Sequence, residues 1–200
     1  MPRKCGRGRS GAGDGLGWFL AAYGGLAGFF AIERILRQPG SAASLSASAD
    51  DQRTTQKIVA AYAAGAALAP IVRGSPLGRL PRGSAPLGLA LEGCGLALRV
   101  WSMWTLGASY SRTLRMGQAQ SLTEDGPYRL VRHPGYAGSV LTWSGFALAS
   151  RSLPVVAVVG GLLGWAYRDR IRAEEVLLRR ELPGYEDYMR RTWRLVPHLW

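Results

Sequence analysis

Apolar residues in this chain gather into five long blocks, with polar and charged residues filling the gaps. The blocks run over residues 16–32, 58–72, 87–106, 136–149 and 153–167. A helix that crosses a bilayer needs about 20 mostly apolar residues, so the pattern predicts five membrane-spanning helices. The first block stops at Glu33 and Arg34. The second ends near Pro70 and Arg73 and is short, so its helix is expected to begin earlier, among Thr54 and Thr55. The third is interrupted by Glu92 and Arg99, seven apart and therefore on one helix face. Residues 150–152 alone separate the last two blocks, which predicts a tight helical hairpin. Gly24 with Gly28, and Gly160 with Gly164, form two GxxxG pairs, expected to be faces of close helix packing.

Composition agrees with this reading. The chain has 200 residues, of which 48% are hydrophobic and only 19% charged, below the roughly 25% charge of an ordinary soluble domain. The expected fold class is all-α, an integral-membrane helical bundle of about five transmembrane helices with a cytosolic C-terminal helix. Residues 1–14 read as a basic flexible tail that is retained rather than cleaved. Residues 15–86 read as two spans with their loops, and residues 87–200 as a core of three spans plus the C-terminal helix. Two cysteines, Cys5 and Cys94, exclude a disulfide framework, and two histidines exclude a His-rich metal site. The net charge of +12 would suggest nucleic acid on a soluble protein. On a chain with bilayer-length apolar blocks it is better explained by the positive-inside rule and anionic head groups. With five spans, sixteen Lys and Arg fall on the side of the first loop, third loop and C-terminal segment, and eight on the other. The richer side is expected to be cytoplasmic. Gly6-Arg7-Gly8-Arg9-Ser10-Gly11 spells G-x-G-x-x-G, but it lacks the preceding strand that a dinucleotide site requires.

Chemistry concentrates in two stretches. One is Gly126-Pro127-Tyr128-Arg129-Leu130-Val131-Arg132-His133-Pro134-Gly135-Tyr136-Ala137-Gly138, ahead of the fourth span. The other is Arg168-Asp169-Arg170-Ile171-Arg172-Ala173-Glu174-Glu175, after the fifth. A hairpin of two short spans makes their outer ends neighbours, so both stretches can form one site at the membrane surface. Each part also has a structural reading. Gly126-Pro127 suits a turn, Pro134 suits a first helical turn, and the tyrosines suit interfacial anchors. Arg170 with Glu174, and Glu175 with Arg179, suit ordinary ion pairs four apart on a helix. Adjacent carboxylates beside a membrane surface are costly unless partnered.

Together with Gly95-Leu96-Ala97-Leu98-Arg99-Val100-Trp101, Tyr110-Ser111-Arg112-Thr113-Leu114 and Tyr185-Glu186-Asp187-Tyr188, these motifs resemble the isoprenylcysteine carboxyl methyltransferase family. That family is related to the integral-membrane phospholipid N-methyltransferases. The resemblance runs from Gly93 to Pro197. It implies a methyltransferase using S-adenosyl-L-methionine at the cytosolic face, with a lipid-like or prenylated acceptor entering from the bilayer and no nucleic-acid partner. It implies that Gln120, Ser121, Leu122, Thr123, Tyr128, His133, Pro134, Gly135, Tyr136 and Glu174 hold the cofactor. It also implies that Arg170 meets the acceptor carboxylate, so that Arg170 and Glu174 carry the reaction. The family usually has His where Gln120 stands.

The residue types suit methyl transfer. The reaction requires alignment more than acid–base help, and alignment can contribute about 7–11 kcal/mol. A carboxylate acceptor, with a pKa near ~4, is already ionised; an arginine can hold it through two hydrogen bonds. An amine acceptor would first have to lose a proton, with His133 or a glutamate as the base. Amine methylation on the same scaffold is the alternative reading, and a catalytically silent membrane protein is the third.

Overall fold

The five apolar blocks are helical, and in the computed structural model, which describes residues 10–36, 53–73, 75–107 and 122–198, they pack as one bundle. The helices are α1 Ser10–Ile35, α2 Thr54–Val72, α3 Ser84–Leu106, α4 Pro134–Ala149, α5 Leu153–Glu181 and α6 Tyr185–Arg191, with a 3₁₀ turn at Gly126–Arg129 before α4. Among the described residues there is no β-sheet, only two isolated bridges. α2 does begin at Thr54, as its short apolar block requires.

Among the described residues, two stretches are long and apolar enough to cross a membrane by length and composition, Gly15–Ile35 and Thr54–Val72. The other three helices differ in informative ways. α3 carries buried Glu92 and Arg99, α4 has only 16 residues, and the second half of α5 is charged. The segment expected as a helix after the fifth span begins as a continuation of it: α5 runs unbroken for 29 residues, about 43 Å at 1.5 Å per residue, and the short α6 follows as a separate helix.

The helix ends alternate. Arg73, after α2, lies over the ring of Phe19 near the start of α1 at 4.7 Å. Leu80, before α3, donates its N–H to the Arg151 carbonyl in the α4–α5 turn at 2.9 Å. At the opposite end, Thr54 at the start of α2 meets Arg170 of α5, and Glu33 near the end of α1 meets Arg99 of α3. The end of α1, the start of α2, the end of α3 and the second half of α5 therefore share one end, and the residues before α3 and the α4–α5 turn share the other. The core between the ends is aromatic. Trp143 stacks on Tyr62 at 4.3 Å, with Phe29 and Phe146 edge-on to the indole.

The most extensive helix contact is α3 against α4, and glycines make it possible. Gly88 and Gly95 of α3, and Gly138 and Gly145 of α4, repeat every seven residues, about two turns. A Cβ on Gly138 would lie 2.8 Å from the Gly95 carbonyl oxygen, and one on Gly145 would collide with the Glu92 backbone. The GxxxG pairs play no such part: Gly24, Gly28, Gly160 and Gly164 all face open space. A GxxxG match records only that a notch exists, whereas packing requires a partner opposite it. Gly145→Ala is accordingly expected to destabilise the protein by about 1–3 kcal/mol through overpacking, and Gly160→Ala to stay within about 0.5 kcal/mol. Unfolding midpoints in detergent measure the difference.

The two charges inside α3 have different surroundings. Arg99 bonds Glu33, Ser139 and, at 2.9 Å, the Gly135 carbonyl, with its guanidinium 4.6 Å from the Phe29 ring. It thereby ties α1, α3 and α4 together. Glu92 is 2% exposed and packs its carboxyl against Gly25, where a Cβ would clash. Neither of its oxygens has a hydrogen-bond partner among the described residues.

Candidate functional site

The end of the bundle that holds the α3–α4 connection also gathers the chemistry. Gly126 opens this segment with φ 54°, and a Cβ there would sit 2.9 Å from Thr105 Oγ1. Glycine meets both demands, positive φ and lack of space. The 3₁₀ turn follows, and Pro134 starts α4 where an N–H would have no helical partner.

Tyr136, in the first turn of α4, faces the second half of α5. Its hydroxyl donates to Glu174 Oε2 at 2.6 Å and accepts from Arg170 Nε at 2.9 Å. Arg170 Nε stands 4.0 Å from Glu174 Oε2, the pair predicted from their spacing. Arg170 is 2% exposed, and its Nη1 donates to Thr54 Oγ1 at 3.1 Å and Thr55 Oγ1 at 3.2 Å. Three helices thus fix the guanidinium. Glu174 differs, with a quarter of its side chain open to solvent.

Glu175, the next residue, turns inward and is 3% exposed. Its carboxylate accepts from Arg132 Nε at 3.1 Å and from Arg194 Nε at 3.0 Å, with Arg194 Nη2 at 2.9 Å. His133 Nε2 stands at 3.6 Å. The expected Glu175–Arg179 pair is therefore replaced by contacts across the fold, and Arg179 Nε points to Met189 Sδ at 3.3 Å. Spacing on one helix could not reveal this, because the competing cations arrive from the α3–α4 connection and from beyond α6. The same region is pinned by backbone. Arg132 N–H donates to the Trp193 carbonyl at 2.7 Å, His133 N–H to the Arg194 carbonyl at 3.1 Å, and Trp193 N–H to the Leu130 carbonyl at 3.0 Å. The segment after α6 therefore runs alongside the residues that lead into α4.

Burial alone would raise the pKa of Glu175, but His133, Arg194 and Arg132 outweigh it and hold the carboxyl at about 2, against an ordinary 4.5. A depressed carboxylate pKa stabilises the fold above the unfolded value, and that stability is lost as pH falls through the folded one. The contribution is of the order of 3 kcal/mol, complete above about pH 4.5 and fading toward pH 2. Glu175→Gln is expected to remove this part of the acid dependence of the unfolding midpoint. Because it leaves Arg132 buried without its counter-charge, it is also expected to cost about 3 kcal/mol near neutral pH.

The predicted site residues divide as follows. His133, Tyr136, Arg170 and Glu174 converge, with the His133 ring 5.6 Å from that of Tyr136 and nearly parallel. Pro134 is fully buried, and Gly135 lends its carbonyl to Arg99. Tyr128 is buried and its carbonyl accepts from Tyr188 Oη at 2.7 Å. Leu122 packs on Leu182, Tyr185 and Tyr188, and Thr123 beside it is half-buried. Gln120 and Ser121 lie outside the described residues. Sequence reading missed Thr54 and Thr55 as supports of Arg170, Glu33 as the partner of Arg99, and Arg194 as a partner of Glu175. The one available signal was that intramembrane Arg99 demands a partner. His133 Nε2 is a buried nitrogen without a hydrogen bond among the described residues. Its nearest acceptor is Glu175 Oε1 at 3.6 Å, so it is the part-open Glu174 that leaves polar capacity for a bound molecule.

Comparison with known proteins agrees with these motifs. The chain is 30% identical over 99 residues to a nickel-cobalt-cadmium resistance protein of Alcaligenes xylosoxydans xylosoxydans, covering 49% of this chain and 46% of that one. It is 31% identical over 119 residues to a cobalt-zinc-cadmium resistance protein of Cupriavidus metallidurans, covering 58% and 51%. It is 30% identical over 117 residues to a probable protein-S-isoprenylcysteine O-methyltransferase of Oryza sativa subsp. indica, covering 56% and 61%. The chain thus spans about half the length of the first two relatives. The phospholipid methyltransferase family model matches residues 84–182, the stretch from the first residue of α3 to the residue that caps α5. That stretch, similar to the phospholipid methyltransferase family, contains Tyr136, Arg170, Glu174 and Glu175.

Proposed function

We propose that this protein is a multi-pass membrane methyltransferase that uses S-adenosyl-L-methionine to methylate the carboxylate of a lipid-like or prenylcysteine-like acceptor. The observation that carries the reading is the Tyr136–Arg170–Glu174 cluster inside the family-matched segment. It places a part-open carboxylate and a buried guanidinium side by side, where α5 leaves the apolar part of the bundle.

The residues fit the cofactor. Glu174 offers a part-open carboxylate for an ammonium group. Gln120, Ser121, Leu122, Thr123, Tyr128, Pro134, Gly135 and Tyr136 complete the proposed pocket. When bound, S-adenosyl-L-methionine supplies an activated methyl group on a sulfonium. The chain's own task is alignment: Tyr136 holds Glu174 in place, and Thr54 and Thr55 hold Arg170. Arg170 neutralises the acceptor carboxylate, which needs no base. Radiolabelled methyl transfer into lipid and protein extracts tests the reading. Label released by base as methanol is the expected result. Base-stable label would move the assignment to amine methylation, and no transfer together with no cofactor binding would leave a silent scaffold.

The proposed orientation puts Arg132 and Arg170 in the cytoplasm and Arg151 outside, following the sixteen-to-eight charge asymmetry. A cysteine at Arg151 is expected to react with an impermeant reagent in intact cells, and one at Arg172 only after lysis. The opposite pattern would reverse the topology and remove the site from cytosolic cofactor.

A further inference from the structure

Between the start of α2 and the outer half of α5 lies a groove of about 290 Å³ lined by Thr54, Lys57, Asp169, Arg172, Ala173 and Val176. We propose that this groove binds the head group of an anionic phospholipid and that its occupancy supports Arg170. The inference rests on the membrane reading above, because it requires this end of the bundle to lie at the level of the head groups.

Three observations point to a lipid of that charge. First, cations stand on both walls: Lys57 from α2, and Arg172, exposed, from α5. Asp169 offsets one of them, pairing with Lys57 Nζ at 2.5 Å. The lining therefore keeps one net positive charge, the complement of a phosphodiester. The N-terminal end of α2 adds positive potential there. Second, the surface is apolar on the side of the charges that would face the acyl chains. Trp165, 53% exposed and one turn before Asp169 on α5, lies under Lys57 with the ammonium 4.5 Å from its ring. A tryptophan at such a position is an interfacial anchor. A site for a soluble anion would have no use for this exposed apolar flank. Third, Thr54 has two roles. It lines the groove, and its hydroxyl accepts from Arg170 Nη1 at 3.1 Å. A head group seated against the first turn of α2 restrains the residues that hold the guanidinium.

The test uses the full chain in neutral detergent, with phosphatidylglycerol as the probe, phosphatidylcholine as the uncharged lipid and inorganic phosphate as the free anion. The readout is the shift of the unfolding midpoint with lipid concentration, each variant being referred to its own lipid-free midpoint. Phosphatidylglycerol should raise the midpoint and phosphatidylcholine should not. Arg172→Gln should raise the half-saturating phosphatidylglycerol concentration about fivefold, the worth of one cation near a lipid surface. Asp169→Asn should lower it, because Lys57 is then released to the phosphate. Arg190→Gln removes one exposed charge from the same end of the molecule but away from the groove, and it should stay within twofold of wild type. The chain carries +12 overall, so an equal effect of Arg172→Gln and Arg190→Gln would mean diffuse attraction and overturn the site. So would a failure of Asp169→Asn to tighten binding. A shift reproduced by inorganic phosphate would overturn the lipid assignment. Flotation with phosphatidylcholine vesicles separates the two levels: a chain that does not float defeats the membrane reading itself. One that floats without groove-dependent lipid preference defeats only this inference.

Discussion

Arg170→Ala is expected to lower kcat/KM by roughly 10- to 200-fold, the largest catalytic effect of any single change in the site. A charge-assisted bidentate contact to a carboxylate contributes about 1.5–3 kcal/mol, and each 1.36 kcal/mol is a factor of ten. Arg170→Lys keeps the charge but loses the planar fork, so it should recover only part of the activity. The geometry adds a second consequence. Arg170 is buried and donates to Tyr136, Thr54 and Thr55, so its removal leaves three hydroxyls short of a donor and loosens the start of α2. Cofactor affinity and the unfolding midpoint must therefore be measured in the same variant. If Arg170→Ala retains activity within twofold of wild type, with cofactor affinity unchanged, Arg170 does not hold a carboxylate. For an amine acceptor the same change should be neutral or mildly helpful, because a cation at 170 opposes the protonated substrate.

Glu174→Gln should weaken S-adenosyl-L-methionine binding about tenfold to a hundredfold while leaving the unfolding midpoint nearly unchanged. The substitution is isosteric and removes the charge that would meet the cofactor's ammonium. Its structural cost is small because Glu174 is part-exposed and Tyr136 and Arg170, which it contacts, hold each other. Glu175→Gln should show the opposite profile. Its partners Arg132 and His133 are buried and Arg194 partly so, so the change lowers stability first, and any loss of cofactor binding follows from displacement of the residues leading into α4. Titration calorimetry and thermal unfolding on the two variants separate these roles. Equal cofactor affinity of wild type and Glu174→Gln would remove Glu174 from the cofactor site. The family resemblance singles out Glu174 and not Glu175, and the difference in their surroundings comes from which side of α5 each one occupies.

Much of the architecture was legible because it depends on local composition. Five apolar blocks became five helices, Thr54 and Thr55 did start α2, and residues 150–152 did make a tight turn. The Arg170–Glu174 pair follows from helical periodicity alone. Gly95 packs closely on α4 while Gly93, two residues away, faces open space. Neither GxxxG pair finds a partner, since a motif on one helix says nothing about what lies opposite.

What the sequence determined by itself is the class of molecule and the location of its chemistry. Apolar runs near bilayer length, a +12 charge gathered in the gaps, and the G-P-Y-R and R-x-x-x-E-E motifs are all properties of neighbouring residues, which covalent geometry keeps together in any fold. Only the tertiary structure decided the partners. Glu33 to Arg99 spans 66 positions, Arg170 to Thr54 spans 116, and Arg132 to Glu175 spans 43. A buried charge is stable only when an opposite charge or a hydrogen-bonding group desolvates beside it. For a given arginine many glutamates satisfy that requirement on paper, and the choice among them is made by which helix faces pack. That packing is set here by the glycine-lined contact of α3 with α4, a property of two surfaces together that neither segment carries alone.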